Sequence, residues 1–420
     1  MADPKYKIYS GLIRTSISLL DNMIPVLMAF LITVLSSSVA CSSAPQDSSH
    51  VSPKNAPADS LPNDGNIIPN PNQHRPDSTR PTIGSEPLNR HPIITSPSNV
   101  EASEEIPFRY KASYRNNGLQ GISSRFESFP SWLTADHDSL FGIPGIGAAD
   151  SSFVLIVSDG TTADTQHVAI QMMRPIVVYG DTRTGHDQHR QLVNLITNIR
   201  PLSVFHVGDL VADGNIPSDW DTLNAIIGNL RTLTEYYPAL GNHEHQSPLF
   251  FANFDLPHNE EWYSVNRNHI HWIILNTCVA IAPGSEQYRW LEQDLASVPD
   301  SIKFIVPVFH HPPYSTGPHT EDEMGLRNTL VPLFQQYSKI GIVFIGHDHD
   351  YERSYCGGIY YIVTGGGGAP LRDQARTHPC SQLFLKTYEF CKVQVVDRTM
   401  YLKVFDINNN IIDRLDLPAR

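Results

Sequence analysis

Five short segments rich in Asp, Asn and His have the residue types and spacing for metal chemistry. They read Val-Val-Tyr-Gly-Asp181, Phe-His-Val-Gly-Asp209, Ala-Leu-Gly-Asn242-His243-Glu244, Val-Phe-His310-His311-Pro-Pro and Phe-Ile-Gly-His347-Asp-His349. Carboxylate oxygens, an amide oxygen and imidazole nitrogens are the donor mixture that borderline and hard divalent cations take. Each segment closes a short apolar run of β-branched or aromatic residues, which suits a buried strand. Open α/β sheets place ligands at the carboxyl ends of their strands, so neighbouring strands of this kind would deliver all five polar ends to one crevice.

The chain of 420 residues is 40% hydrophobic, enough for two folded parts plus tails. A formal net charge of −13 without a cluster of Lys and Arg argues against nucleic acid as a main partner, because phosphate backbones are held by clustered cations. A phosphorylated small molecule stays open as substrate, since bound cations invert the local field.

Residues 1–41 read as a targeting segment. Lys5, Lys7 and Arg14 precede the apolar stretch Met23 to Leu35, and Ser38-Val39-Ala40-Cys41 follows. The arrangement resembles an export signal ending at a bacterial lipoprotein cleavage site, with Cys41 as the lipidated first residue that anchors the protein to a membrane of the cell envelope. Cleavage without lipid is one alternative. A transmembrane anchor is the other, set against an apolar run of about a dozen residues where about 20 span a bilayer. Residues 42–100 are rich in Pro, Ser, Asn and Asp and contain no aromatic residue, so they read as a disordered, solvated tether.

From 101 to 173 the pattern becomes short alternating strands, with Phe108, Tyr110, Phe126, Phe129, Trp132 and Leu133 as core. A small all-β sandwich is expected. Pro130-Ser-Trp-Leu133, Leu140-Phe-Gly-Ile-Pro144 and Val157-Ser-Asp-Gly160 resemble the Ig-like or cadherin-like modules of bacterial surface proteins; the sequence identifies no partner for it. Asp136, Asp138 and Asp159 read as turn residues bonding their own backbone, with calcium ligation as the alternative.

The order Gly-Asp, Gly-Asp, Gly-Asn-His-Glu, His-x-Pro, Gly-His-x-His resembles the calcineurin-like metallophosphoesterases, specifically their purple-acid-phosphatase-like branch. Glu286-Gln-Tyr-Arg-Trp-Leu-Glu-Gln-Asp-Leu295, His349-Asp-Tyr-Glu-Arg353 and Thr364-Gly-Gly-Gly-Gly-Ala-Pro370 extend the resemblance over most of residues 174–420. It implies an α/β fold, a four-layer α/β/β/α metallophosphoesterase sandwich, here preceded by the all-β module. It implies a metal-dependent phosphoric ester hydrolase with two divalent or trivalent ions, Fe, Mn or Zn. Carried over by position, Asp209 bridges the two metals, Asp181 and His349 bind the first, and Asn242, His310 and His347 bind the second. A hydroxide held by the pair would attack phosphorus in line. His243 matches the residue that protonates the leaving group or fixes the substrate. Aligned on the Pro and Tyr that follow, the family's ligand falls on His310, and His311 is expected to point the other way along the strand. His319 falls where plant-type members keep a substrate-contacting His, so it reads either as a proton donor or as a loop surface residue.

The first metal site departs from the family pattern. Arg183 stands where most metallophosphoesterases keep a His, and a guanidinium stays protonated and does not coordinate cations. Ala212 stands where purple acid phosphatases keep a Tyr, so no tyrosinate-to-iron colour is expected. Extra water, His186 or His189 would have to complete the shell, His189 if Gly185 lets the next helix start beside the metals. Arg183 either touches the substrate phosphate or pairs with Asp187 or Asp213. His206 reads as a core imidazole, Trp290 and Leu291 as packing, and glycines 365 to 368 as a tight turn beside the metals, not a phosphate loop. A Cys356–Cys380 disulfide is available in an oxidising compartment but is not fixed by spacing.

Hydrolysis of phosphate monoesters is the first expectation. Phosphodiesterase or nucleotidase activity on the same site is the alternative within the enzyme class, decided by loops such as 245–262 and 314–325. A surface-binding protein on a degenerate phosphatase scaffold is the reading from another class; the intact Asp, Asn and His series opposes it.

Overall fold

The computed structural model describes residues 90–420. The expected export signal at 1–41 and the tether up to residue 89 lie outside the described residues. Among the described residues no helix is long and apolar enough to cross a membrane.

The amino-terminal part is all β. A four-stranded sheet in the order Asn99–Ala102, Ala163–Met172, Ser151–Ser158, Ser123–Glu127 faces a three-stranded one in the order Phe108–Lys111, Ser139–Gly142, Leu133–Asp136. Phe108 and Tyr110 are buried while Arg109 and Lys111 are exposed, the alternation of a strand with one wet face. Tyr110 packs edge-on against Phe153 at 4.8 Å in the core between the sheets, which Leu140, Leu155 and Val168 complete. Strands already occur at Ile93–Ile94 and Asn99–Ala102, so the expected tether boundary at residue 100 is too late. Val100 and Ala102 face that core and give even this polar stretch an apolar surface to join. Asp159 behaves as a turn residue: its Oδ1 accepts the amides of Thr161 and Thr162 at 2.8 and 2.7 Å. Those bonds, Thr162's first, hold its carboxyl down at about 2.

The remainder is built on two mixed sheets. The first runs Glu235–Pro238, Ser203–His206, Ile176–Tyr179, Glu389–Val396, Thr399–Asp406, Ile411–Pro418. The second runs Tyr263–Arg267, Ile270–Ile274, Phe304–Val308, Ile342–Ile345, Ile359–Thr364, Tyr351–Cys356, Ser381–Leu385. Their inner faces meet where Phe205 stacks on Trp272 at 4.1 Å. Successive residues of the second sheet divide between two cores. Trp272, Ile274, Val306 and Phe344 face the first sheet, whereas Ile273, Ile305, Val343 and Ile345 face helices Glu286–Ser297 and Leu326–Phe334 through Leu291, Leu295, Leu330 and Phe334. Burial on both faces explains why these strands read as unbroken apolar runs. Helices His186–Ile199 and Pro217–Leu233 bury Leu192, Ile196, Leu223 and Ile227 in the core of the first sheet. The result is the four-layer α/β/β/α arrangement.

The strands ending at Tyr179, His206 and Pro238 are parallel, as are those ending at Ile274, Val308, Ile345 and Thr364. Their carboxyl ends carry the five polar segments to one edge. The all-β part is tied to the first sheet by Lys392, only 3% exposed, whose Nζ lies 3.0 Å from Glu104 Oε1 and 3.2 Å from Glu105 Oε2. Gln394 donates to Ser103 Oγ at 2.7 Å in the same seam. Cys356 and Cys380 form a disulfide.

Candidate metal centre

The chain turns sharply as it leaves three of these strands. Asp181, Asp209 and His347 have φ of +56°, +58° and +72°, a region that costs non-glycine residues about 1 kcal/mol or more and that concentrates at functional sites. The glycine before each makes the approach feasible. A Cβ on Gly346 would lie 2.4 Å from Asp181 Oδ2, and Gly208 itself has φ +101° with a would-be Cβ 2.8 Å from His310 Nδ1. Side chains from both sheets are thereby brought into van der Waals range of one another.

Four acceptor atoms converge at one point. His310 Nδ1 lies 2.9 Å from the Val207 carbonyl, which can only accept, so Nδ1 carries the proton and Nε2 keeps its lone pair. That Nε2 lies 3.0 Å from Asn242 Oδ1, 3.1 Å from His347 Nδ1 and 3.3 Å from Asp209 Oδ1. His347 turns its other nitrogen to Glu323 Oε2 at 3.3 Å, which leaves Nδ1 unprotonated. Burial, and then the neighbouring imidazoles, push His347 down to about 2, and burial and His311 hold His310 well below the usual imidazole range. Lone pairs facing lone pairs in a dry site repel unless a cation lies among them. This donor set therefore fits a metal ion.

A second set comprises Asp181, Asp209 and His349, whose ligand atoms lie within 4.8 Å of one another. Burial, and then Asp209, raise the Asp181 carboxyl well above its ordinary value. His349 Nδ1 faces the Pro370 carbonyl at 2.9 Å, so its Nε2 turns inward, 3.7 Å from Asp181 Oδ1. Here a donor is already present. Arg183 Nε lies 3.2 Å from Asp209 Oδ2 and its Nη2 lies 3.3 Å from His349 Nε2. The guanidinium is thus neither on Asp187, which pairs with Arg190 at 3.0 Å, nor on Asp213, which faces His245 at 3.7 Å.

The calcineurin-like phosphoesterase family model matches residues 174–351. These residues form a calcineurin-like metallophosphoesterase domain. Among curated relatives, this chain is 26% identical over 300 residues to "Probable inactive purple acid phosphatase 27" of Arabidopsis thaliana, covering 57% of this chain and 48% of the relative. It is 30% identical over 172 residues to "Purple acid phosphatase 15" of the same plant, covering 35% of this chain and 32% of the relative. The chain therefore spans half or less of the length of these relatives. Among solved structures, a purple acid phosphatase from yellow lupin (Lupinus luteus) seeds superposes with a TM-score of 0.54 at 18% identity, over 78% of this chain and 74% of that one, a likeness of fold.

Other expected residues of the phosphoesterase domain fall as follows. His243 donates from Nδ1 to the Ala212 carbonyl at 2.7 Å and turns Nε2 to within 3.8 Å of Asp209 Oδ2. His319 stacks on His347 with ring centres 3.8 Å apart, and its Nδ1 binds Asp348 Oδ1 at 2.8 Å. His311 does not point away: residues 309–311 lie past the strand, so alternation no longer applies, and its ring sits 4.6 Å from that of His347 with Nδ1 on Thr277 Oγ1 at 2.9 Å. His189 is not brought to the cluster. The helix does start at His186, tight against Gly368, but its first turn aims His189 into the sheet, where Nε2 meets the Tyr179 hydroxyl at 3.1 Å. His186 is exposed, and a small cavity of about 40 Å³ bordered by His186, His189 and Ala212 lies beside the domain's second Asp loop. His206 is a satisfied core imidazole, with Thr182 Oγ1 at 3.2 Å and the Gly208 amide at 3.2 Å.

Three site residues were not singled out from sequence. Glu244 accepts the amides of Asp209, Gly241 and Leu210 at 2.9, 2.7 and 2.8 Å. Asp348 holds His319, and Glu323 orients His347. The first two stand inside the polar segments and were legible there; Glu323 lies in a loop with no local signal.

Proposed function

We propose that this protein is an exported metal-dependent phosphatase acting on phosphate monoesters of small molecules. The observation that carries this reading is the convergence of the acceptor atoms His310 Nε2, His347 Nδ1, Asn242 Oδ1 and Asp209 Oδ1. Asp209, Asn242, His310 and His347 would hold one cation, for which Fe, Mn or Zn suit the nitrogen and oxygen mixture, and Asp181, Asp209 and His349 form a second donor set beside it. Cations bound there supply polarisation of the phosphoryl oxygens and a nucleophilic water at neutral pH.

The chain's own groups do the rest. His243 Nε2 faces the crevice and is held in place by the Ala212 carbonyl, so it can carry a proton to the leaving oxygen. His319, stacked on His347 and fixed through Nδ1 by Asp348, is a second candidate proton carrier. Arg183 adds a permanent positive charge that suits a phosphate dianion.

The disulfide at Cys356 and Cys380 supports an oxidising compartment, in line with the sequence reading of an export signal with a lipid anchor at Cys41. Turnover of p-nitrophenyl phosphate and of bis-p-nitrophenyl phosphate tests the reaction class. A clear monoester preference is expected, and a diester preference overturns it in favour of a phosphodiesterase. A non-catalytic reading draws support from the guanidinium in the second donor set; metal binding without turnover of either ester would favour it.

A further inference from the structure

The two donor sets differ in one respect that bears on loading. Around His310 every converging atom is an acceptor, whereas His349 Nε2 and Asp209 Oδ2 each already face a guanidinium nitrogen, at 3.3 and 3.2 Å. A cation bonded to those two atoms would sit about 2 Å from each, inside the space that the Arg183 nitrogens approach. Two positive centres would then share a pocket whose carboxylates are almost wholly buried, where water screens little. A guanidinium carries no lone pair with which to coordinate a cation. Arg183 is also tethered: its backbone N lies 3.3 Å from the Asp209 carbonyl, in a turn closed by the Gly185 amide on the Arg183 carbonyl at 2.9 Å.

We infer that the Arg183 guanidinium takes the place of one of the two metal ions, so that the resting protein holds a single cation on Asp209, Asn242, His310 and His347. The inference rests on the phosphatase reading of this site. Asp209 is paired by the guanidinium at 3.2 Å, and a mixed centre of one metal and one arginine keeps two positive centres facing the phosphate.

The test is metal content, measured apart from turnover. The full chain is stripped with chelator, equilibrated with Mn²⁺, and assayed by elemental analysis and electron paramagnetic resonance; Arg183→Ala and Arg183→His are treated alike after a thermal melt shows them folded. One ion per chain with the hyperfine pattern of an isolated Mn²⁺ is expected for the natural protein, and two exchange-coupled ions for both variants. Two tightly held ions in the natural protein overturn the inference while leaving the phosphatase reading intact. One ion in all three proteins also overturns it, since Arg183 would then not be the cause. No ion in any of them removes the metal reading of the site and this inference with it.

Discussion

The Glu244 carboxylate accepts the backbone amide of Asp209 at 2.9 Å, although the two residues come from different strand-end loops. The same oxygen takes the Gly241 amide at 2.7 Å and the other takes that of Leu210 at 2.8 Å. One buried side chain thus fixes the left-handed turn at Asp209 and the loop carrying Asn242. Glu244→Ala strands several buried amides at about 1–3 kcal/mol each. A loss of about 3–5 kcal/mol in urea unfolding is expected, with Glu244→Gln between it and the natural protein. A loss below about 1 kcal/mol in the Ala variant would contradict this role.

His243 Nε2 lies 3.8 Å from Asp209 Oδ2 and His319 stacks on His347, so their substitution should separate by leaving group. For the residue that protonates the ester oxygen, replacement by Ala should lower kcat for an alkyl phosphate by about 10²-fold or more. The nitrophenyl ester, whose leaving group needs no proton, should be far less affected. Equal losses on both esters for both variants would assign the two rings to binding alone.

Much of the site was legible because strand ends are local. Val-Val-Tyr-Gly-Asp181 and its counterparts state both the apolar run and the polar terminus, and parallel pairing does the rest. What escaped the reading depends on direction, not on type. His189 has the spacing to reach the cluster, yet the helix phase aims it at Tyr179. The strand's alternation does not extend to His311, which lies three residues past the strand's end. Arg183 was recognised as unable to bind a cation, but only tertiary placement puts its fork on Asp209 and His349. The strands at 93–94 and 99–102 were hidden because polar edge residues such as Asn99 and Glu101 are ordered by neighbours distant in sequence.

His189 predicts an acid-sensitive fold. Burial, and then His186 and Arg190, depress its imidazole from 6.5 to about 3. The folded protein keeps it neutral, while the unfolded chain takes up a proton below about pH 6.5. Its contribution is therefore intact above pH 6.5 and falls as pH drops towards 3, by on the order of 4 kcal/mol. His189→Gln should flatten the fall in unfolding free energy between pH 6 and 4 relative to the natural protein. Parallel curves would contradict the depressed value.

The seam between the all-β part and the phosphoesterase domain rests on a buried charge. Lys392→Met leaves Glu104 without its partner at 3.0 Å, a change of about 3–5 kcal/mol when the remaining charge stays buried. Limited proteolysis should then cut between residues 172 and 176 faster than in the natural protein. Unchanged cleavage and unchanged unfolding would show that the two parts hold together without it.

The most direct measurement is the hydrolysis rate of p-nitrophenyl phosphate by chelator-stripped protein before and after addition of Mn²⁺, Fe²⁺ or Zn²⁺, with Asp209→Asn alongside. The arrangement of His310, His347, Asn242 and Asp209 predicts negligible turnover when stripped, recovery with at least one of these ions, and at least a 10²-fold loss in the variant. Turnover that survives stripping, or that Asp209→Asn leaves unchanged, would contradict it.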